Sequence, residues 1–241
     1  MIPVIFVHGE GVSDFGNCSQ VGPLYYIIWK ILARYYPDEI IEHNYIQIVS
    51  KSDLQNYRKV KRSEKRKSTM RLAKPPKISI MAETLGLFTQ ERGGHIAVLH
   101  SDVDFTNKDL RTRNSTLLER KKREARDTII KEIENGFFKS GISERGVPLV
   151  PMPRTEAWLI KLVPGSGFSA HRLENLPGND KAPCGAKKIL DDYGFCSCEK
   201  RCSLVCTSYD PDKMDLESHS LFLVKMRKAL SQCPFSSNSC S

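Results

Sequence analysis

Short apolar runs alternate with longer amphipathic runs along most of the chain. The short runs are rich in β-branched residues and end at Gly, Pro or acidic positions, which predicts strands at 4–7, 45–49, 95–100 and 147–150. The longer runs have apolar residues at helical spacing and predict helices at 22–36, 78–90, 117–135 and 216–230. Strands that alternate with helices indicate an α/β fold with a mostly parallel sheet flanked by helices. Pro148 favours an edge position for the last strand, and Gly136 is expected to end the long helix before it.

The length of 241 residues favours one domain with insertions. We expect a core at 1–164 that contains a basic insertion at about 56–77, and a helical, Cys-rich extension of the same domain at 165–241. A hydrophobic fraction of 40% and a charged fraction of 27% are ordinary for globular proteins and argue against global disorder.

The net charge of +9 is concentrated in one segment. Residues 58–77 contain ten Lys or Arg and a single acid, Glu64. Such a run favours a polyanionic partner such as DNA or RNA, although a solvated loop has the same composition. The candidate nucleic-acid contacts in this segment are Lys61, Arg62, Lys65, Arg66 and Lys67.

No apolar stretch approaches the ~20 residues needed to cross a bilayer, and the apolar run at the N-terminus is too short for a signal peptide. We therefore expect a cytoplasmic protein without membrane association, whose eight cysteines are reduced thiols or metal ligands. Four of them lie within eleven residues with the spacing C-x-C-x₃-C-x₃-C: Cys196, Cys198, Cys202 and Cys206. This cluster is a candidate structural Zn²⁺ site or a group of partly buried thiols.

Acidic residues follow two of the predicted strands. Glu10 and Asp14 come after the first, and Asp102 and Asp104 after the third. In parallel α/β sheets the loops beyond the carboxyl ends of the strands hold ligands, and grouped carboxylates suit Mg²⁺ or Mn²⁺, which support phosphoryl chemistry. Acids that cap turns or helices would give the same pattern. His8 stands beside Glu10 as a candidate ligand or general base, or as a histidine with a structural hydrogen bond.

Three motifs resemble one known family. Glu10-Gly11 after the first strand, Leu99-His100-Ser101-Asp102-Val103-Asp104 and Glu156-Ala157-Trp158-Leu159 are similar to the Toprim-like, OLD-type nuclease-related small bacterial proteins often encoded beside an ATPase in defence systems. The resemblance implies a Toprim-like fold and a Mg²⁺- or Mn²⁺-dependent nuclease, the effector of an anti-phage system with an ATPase partner. It also implies that Glu156 is a supporting acid, although a helix-start role is equally compatible with its position.

Two alternatives follow from the same residues. If Glu10 lies too far from the aspartates, the chain is a catalytically inactive Toprim-like subunit that binds nucleic acid or assembles with partners, and a homodimer is compatible with either reading. The turn at His8-Gly9 also resembles that of α/β-hydrolases, but the chain has no Gly-x-Ser-x-Gly motif, so an esterase is disfavoured. No Gly-x-x-x-x-Gly-Lys-Ser/Thr loop occurs, so ATP hydrolysis would belong to a partner. Further candidate phosphate-binding residues are Arg154, His171, Arg172, Lys181, Lys187 and Lys188.

Overall fold

A four-stranded, all-parallel sheet lies at the centre of the protein. The computed structural model describes residues 2–9, 12–16, 20–64, 76–103, 115–177, 182 and 184–233. The strands are β1 (Ile5–His8), β2 (Ile46–Ile48), β3 (Ile96–His100) and β4 (Gly146–Leu149), in the order β2-β1-β3-β4. The predicted α/β class with a parallel sheet is therefore confirmed, and Pro148 lies on an edge strand as expected.

Helices connect the strands and cover both faces of the sheet. Between β1 and β2 lie α1 (Val12–Phe15) and α2 (Pro23–Tyr35), and a 3-10 turn at His43–Tyr45 precedes β2. Between β2 and β3 lie α3 (Lys51–Glu64) and α4 (Lys77–Glu91), and α5 (Ser115–Lys139) leads to β4. The helices after β4 are α6 (Thr155–Leu162), α7 (Ala170–Glu174), α8 (Ala186–Asp192), α9 (Cys198–Ser208) and α10 (Glu217–Ser231).

Strands β1, β3 and β4 are buried on both faces, which divides the core in two. Successive side chains of a strand point to opposite faces. Ile5 and Val7 accordingly pack in a first core with residues of α2, α6, α9 and α10, whereas Phe6 packs in a second core with residues of α4 and α5. Because the first core contains side chains from both ends of the chain, the helices beyond residue 165 are part of the packing around the sheet.

The basic insertion begins as a helix. Ser50 and Asp53 form a reciprocal cap, in which each backbone N–H donates to the side chain of the other residue at 3.1 Å. Leu54 is buried in the second core and holds this helix, α3, against the sheet. Residues 56–64 of the basic insertion are therefore helical, because the cap and one buried anchoring residue stabilise the helix despite the charge run. Residues 65–75 lie outside the described part of the chain.

Gly136 does not end a helix, contrary to the sequence-based expectation, because α5 continues to Lys139. A Cβ at position 136 would lie 2.3 Å from the Ser79 carbonyl oxygen and 2.5 Å from the Ala82 Cβ. The glycine therefore allows α5 to pack closely against α4. Within the described residues, every helix is too short or too polar to span a membrane.

Candidate active site

Three neighbouring strands each deliver an acidic side chain to the same edge of the sheet. Asp14 lies on α1 after β1, Asp102 follows β3, and Glu156 is in the first turn of α6 after β4. Their side chains are 14%, 18% and 13% exposed, respectively. We call these three residues the acidic cluster. It lies beyond the carboxyl ends of the strands, where parallel α/β proteins bind their ligands.

The short helix α1 positions Asp14 because the chain reverses directly after it. Gly16 adopts a φ of +87°, which L-residues rarely adopt, and forms an isolated antiparallel bridge with Val21. The backbone N–H of Gly22 also donates to the Phe15 carbonyl at 2.7 Å. These two contacts fix the segment that carries Asp14 against the start of α2.

His100 lies between two of the acids. It is the last residue of β3 and is 1% exposed, and its Nδ1 lies 3.7 Å from Asp14 Oδ2. Its Nε2 lies 3.2 Å from Asp102 Oδ1 and 3.1 Å from Thr155 Oγ1. One imidazole therefore bonds to the side chains that follow β3 and β4 and faces the acid that follows β1.

Asp102 also accepts the first hydrogen bond of α6. The Thr155 backbone N–H donates to Asp102 Oδ1 at 3.2 Å, and Arg154 Nε lies 3.9 Å from Asp102 Oδ2. A carboxylate at a helix N-terminus is stabilised by the free N–H groups and by the helix dipole. A further backbone bond, from Val103 N–H to the Pro153 carbonyl at 3.0 Å, holds the two loops together.

Asp14 and Glu156 lie in an environment that disfavours their charged forms. Burial raises the pKa of the Asp14 carboxyl, and Asp102 adds to the rise against opposing effects of His100, Thr155 and Arg154. Burial likewise raises the pKa of Glu156, and Asp102 and Asp14 both add to the rise. The like-charged groups thus interact across the site, and cations nearby would favour their ionised forms.

Arg201 of α9 supplies one such positive charge. Its side chain is 9% exposed, with one guanidinium nitrogen 3.4 Å from Glu156 Oε1 and the other 3.1 Å from Asp191 Oδ1. Its Nε–H donates to the Phe195 carbonyl at 2.9 Å. The guanidinium opposes the rise in the pKa of Glu156.

The donor chemistry of the acidic cluster suits a hard divalent cation, since Mg²⁺ and Mn²⁺ prefer carboxylate oxygens. Among the described residues, however, no three acidic, histidine or cysteine side chains converge closely enough to hold a metal ion. Glu10 and Asp104, two of the four metal ligands expected from the sequence, lie outside the described residues. The acidic cluster therefore matches a divalent-cation site in the type of its ligands and in its position at the sheet edge.

In comparisons with protein-family models, with curated proteins and with solved structures, no match to this chain was found. The interpretation of the site therefore depends on its geometry and on the motifs that carry the resemblance.

His8 lies on the other face of the sheet from His100. It is 3% exposed, and its Nδ1 bonds to the Val49 carbonyl oxygen at 2.7 Å. Burial lowers its pKa, and the positive charge of Lys51 lowers it further despite the bond to Val49. The structure does not bring this neutral imidazole into the acidic cluster.

The candidate nucleic-acid contacts are dispersed. Lys61 and Arg62 lie on α3, Lys187 is exposed on α8, and the rest lie outside the described residues: Lys65, Arg66, Lys67 and Lys181. The further phosphate candidates have partners, since Lys188 pairs with Asp192 at 2.8 Å, His171 lies 3.3 Å from Glu119, and the Arg172 guanidinium lies 4.5 Å from the centre of the Phe168 ring. Of these candidates, Arg154 contacts the acidic cluster.

Three of the four clustered cysteines form a stripe along α9. Cys198, Cys202 and Cys206 are four residues apart, whereas Cys196 precedes the helix and is exposed. The sulfurs of Cys198 and Cys202 are 3.9 Å apart, and both thiols donate to the Val21 carbonyl. Burial and the neighbouring thiols raise the pKa of Cys202 to about 12, so it is protonated in this arrangement.

Sequence reasoning missed three residues of the site. His100 was placed in a strand and in a motif but was given no role, although a strand residue two positions before Asp102 points to the same side. Thr155 occupies the helix start between Arg154 and Glu156, both of which were named. Arg201 carried no local signal, because it reaches Glu156 from 45 residues away.

Proposed function

We propose that this protein is a metal-dependent nuclease of Toprim type that hydrolyses phosphodiester bonds. The observation that carries the proposal is that Asp14, Asp102 and Glu156 follow three adjacent parallel strands and interact electrostatically beyond their carboxyl ends. Buried carboxylates of the same sign repel one another, so a function that recruits a cation explains why they are grouped. Two of the three motifs that resemble the Toprim-like family supply Asp102 and Glu156 to this cluster.

Asp102 and Asp14 are the described residues that would hold Mg²⁺ or Mn²⁺, with Glu10 and Asp104 as further ligands proposed from the sequence. When bound, the cation would activate water and stabilise charge on the phosphate. His100 orients Asp102 through Nε2, which lies 3.2 Å from Asp102 Oδ1, and its Nδ1 faces Asp14 Oδ2 at 3.7 Å. Burial raises the pKa of Glu156, so this carboxyl keeps its proton to a higher pH than a solvated glutamate does and could act as a proton donor.

The positive charge of the site would hold the phosphate backbone. Arg154 lies beside Asp102 at the N-terminus of α6, where the helix dipole favours an anion. The basic helix α3 provides further charge for nucleic acid. We further propose an ATPase partner and a role as the effector of an anti-phage system, both of which derive from the family resemblance.

A non-catalytic role is the second candidate. Asp102 accepts a hydrogen bond from the first N–H of α6 and contacts His100, both of which stabilise the fold. Within the described residues, no three side chains that could ligate a metal converge. A Toprim-like subunit that binds nucleic acid or assembles with a partner would need this arrangement only for folding.

Cleavage assays with matched variants separate the two candidates. DNA and RNA are incubated with Mg²⁺ or Mn²⁺ and with wild type, Asp102→Asn or Asp38→Asn, with and without candidate ATPases. Asn preserves the oxygen that accepts from Thr155, whereas the exposed Asp38 is outside the site. The nuclease proposal predicts that Asp102→Asn lowers the rate by on the order of 100-fold and that Asp38→Asn leaves it unchanged.

The contrary outcomes are distinct. Nucleic-acid binding without cleavage in every condition supports the non-catalytic subunit. Cleavage that persists in EDTA, or that survives Asp102→Asn unchanged, refutes the proposed site. A thermal melt adds a second readout, because cations that bind the acidic cluster should raise the melting temperature of wild type but not that of Asp102→Asn.

A further inference from the structure

A cavity of about 260 Å³ lies between α3 and α4, on the side of the sheet opposite the acidic cluster. It opens beside His8 at the carboxyl end of β1. Its walls include the apolar side chains of Leu54, Ile80 and Met81. Ligand pockets usually have volumes of about 300–1,000 Å³, so this one suits a small ligand.

The mouth of the cavity is positively charged. Lys51, Arg58 and Lys77 line it, and the first and last of these are exposed. No acidic side chain of the described residues lines the cavity. A ligand of this cavity should therefore combine an apolar or flat moiety with a negatively charged group. Because none of the described residues that line the cavity is acidic, a divalent cation is disfavoured there.

The buried His8 restricts which uncharged groups of a ligand could fill the cavity. A carbonyl oxygen can only accept a hydrogen bond, so Nδ1 carries the proton that is donated to Val49, and Nε2 remains an acceptor. The described residues provide no second hydrogen-bond partner for this imidazole, and Gln55 adds an amide to the lining. A saturated acyl chain would leave Nε2 unsatisfied, whereas the edge of a nucleobase offers donors and acceptors.

We propose that this cavity binds one nucleotide, with its base between the apolar walls and its phosphate at Lys51 and Lys77. The nucleotide is either a free nucleoside monophosphate or the 5′-phosphorylated end of a nucleic-acid strand, since both present the same groups. The site is separate from the acidic cluster, because His8 and His100 lie on opposite faces of the sheet.

Calorimetric titration of the full-length protein tests the proposal. The probes are the four nucleoside monophosphates, adenosine, inorganic phosphate, decanoate, and a dinucleotide with a 5′-phosphate or a 5′-hydroxyl. At least one monophosphate or the 5′-phosphorylated dinucleotide should bind, and the matching probe without phosphate should bind about tenfold more weakly. Binding by monophosphates identifies a free nucleotide, and binding by the dinucleotide alone identifies a strand end.

Matched charge variants locate the binding. Lys51→Gln with Lys77→Gln should weaken it about tenfold, whereas Lys59→Gln with Lys139→Gln removes the same charge from exposed positions that do not line the cavity. Asp102→Asn should bind as wild type does, so the result is independent of the nuclease proposal. The inference is overturned if no nucleotide probe binds, if both double variants bind alike, or if phosphate or decanoate binds as tightly as the nucleotides.

Discussion

Replacing Arg201 with Met should destabilise the protein strongly. The substitution keeps an aliphatic side chain of similar length but removes the guanidinium that contacts Glu156 and Asp191 and donates to the Phe195 carbonyl. Glu156 would then remain buried beside two other acids without this partner. Breaking a buried ion pair in this way costs about 3–5 kcal/mol, and the loss at Asp191, which is 35% exposed, adds little. For a chain of this length the melting temperature should fall by roughly 6–20 °C.

The loss should depend on pH in a defined direction. The folded-state pKa of Glu156 lies above its ordinary value of 4.5, and the loss of Arg201 raises it further. A group of this kind is most favourable to folding when it is protonated, below 4.5, and that contribution is lost as the pH rises through the folded-state pKa. The difference between Arg201→Met and wild type should therefore be large at neutral pH and shrink as the pH approaches 4.5.

Urea unfolding followed by circular dichroism at pH 7.5 and pH 5 measures both effects. Arg120→Met is the matched control, because Arg120 is 69% exposed and its pair with Glu124 should contribute less than about 1 kcal/mol. Adding Glu156→Gln to Arg201→Met should recover most of the stability. The reasoning fails if Arg201→Met lowers the free energy of unfolding no more than the control does. It also fails if the loss is the same at pH 5 as at pH 7.5 and is not reduced by adding Glu156→Gln.

Three other substitutions test the fold and its electrostatics. Asp102→Ala should be about 1 kcal/mol less stable than Asp102→Asn in urea unfolding, because only Asn keeps an acceptor for the first N–H of α6. Gly136→Ala should cost about 1–3 kcal/mol by thermal melting, because its Cβ would clash with α4, whereas Ala at the exposed Asn135 should cost almost nothing. Burial lowers the pKa of His219 to about 4, so its contribution to stability is present above its ordinary value of 6.5 and is lost as the pH falls towards 4. That loss amounts to about 3 kcal/mol, and His219→Phe should remove it from the pH profile of urea unfolding.

The positions of the strands and of the acids that follow them could be predicted from the sequence, because each strand is a short apolar run followed by a polar turn. The runs at 95–100 and 147–150 became β3 and β4 within a residue or two, and the first run became β1. Placing acids after such strands also predicted the edge of the sheet to which Asp102 belongs. These inferences succeed because they need only local pattern and the common direction of parallel strands.

The remaining features depend on contacts between distant segments. Gly136 has the sequence signature of a helix end, and only the close approach of α4 shows why it lies inside α5. His8 and His100 both end apolar strands, yet the alternation of side chains sends them to opposite faces. A single residue of register decides which histidine meets Asp102, and composition does not carry that information.

Helix α9 connects the Cys-rich segment to the acidic cluster by two different routes. Its Arg201 contacts Glu156, while the thiols of Cys198 and Cys202 donate to the carbonyl of Val21, the residue that bridges Gly16 directly after α1. Helix α9 thus contacts both the helix that carries Glu156 and the turn that follows Asp14. A shift of α9 would change the separation of the acids and the charge on Glu156 together. The cysteine stripe therefore supports the geometry of the site through its packing and hydrogen bonds.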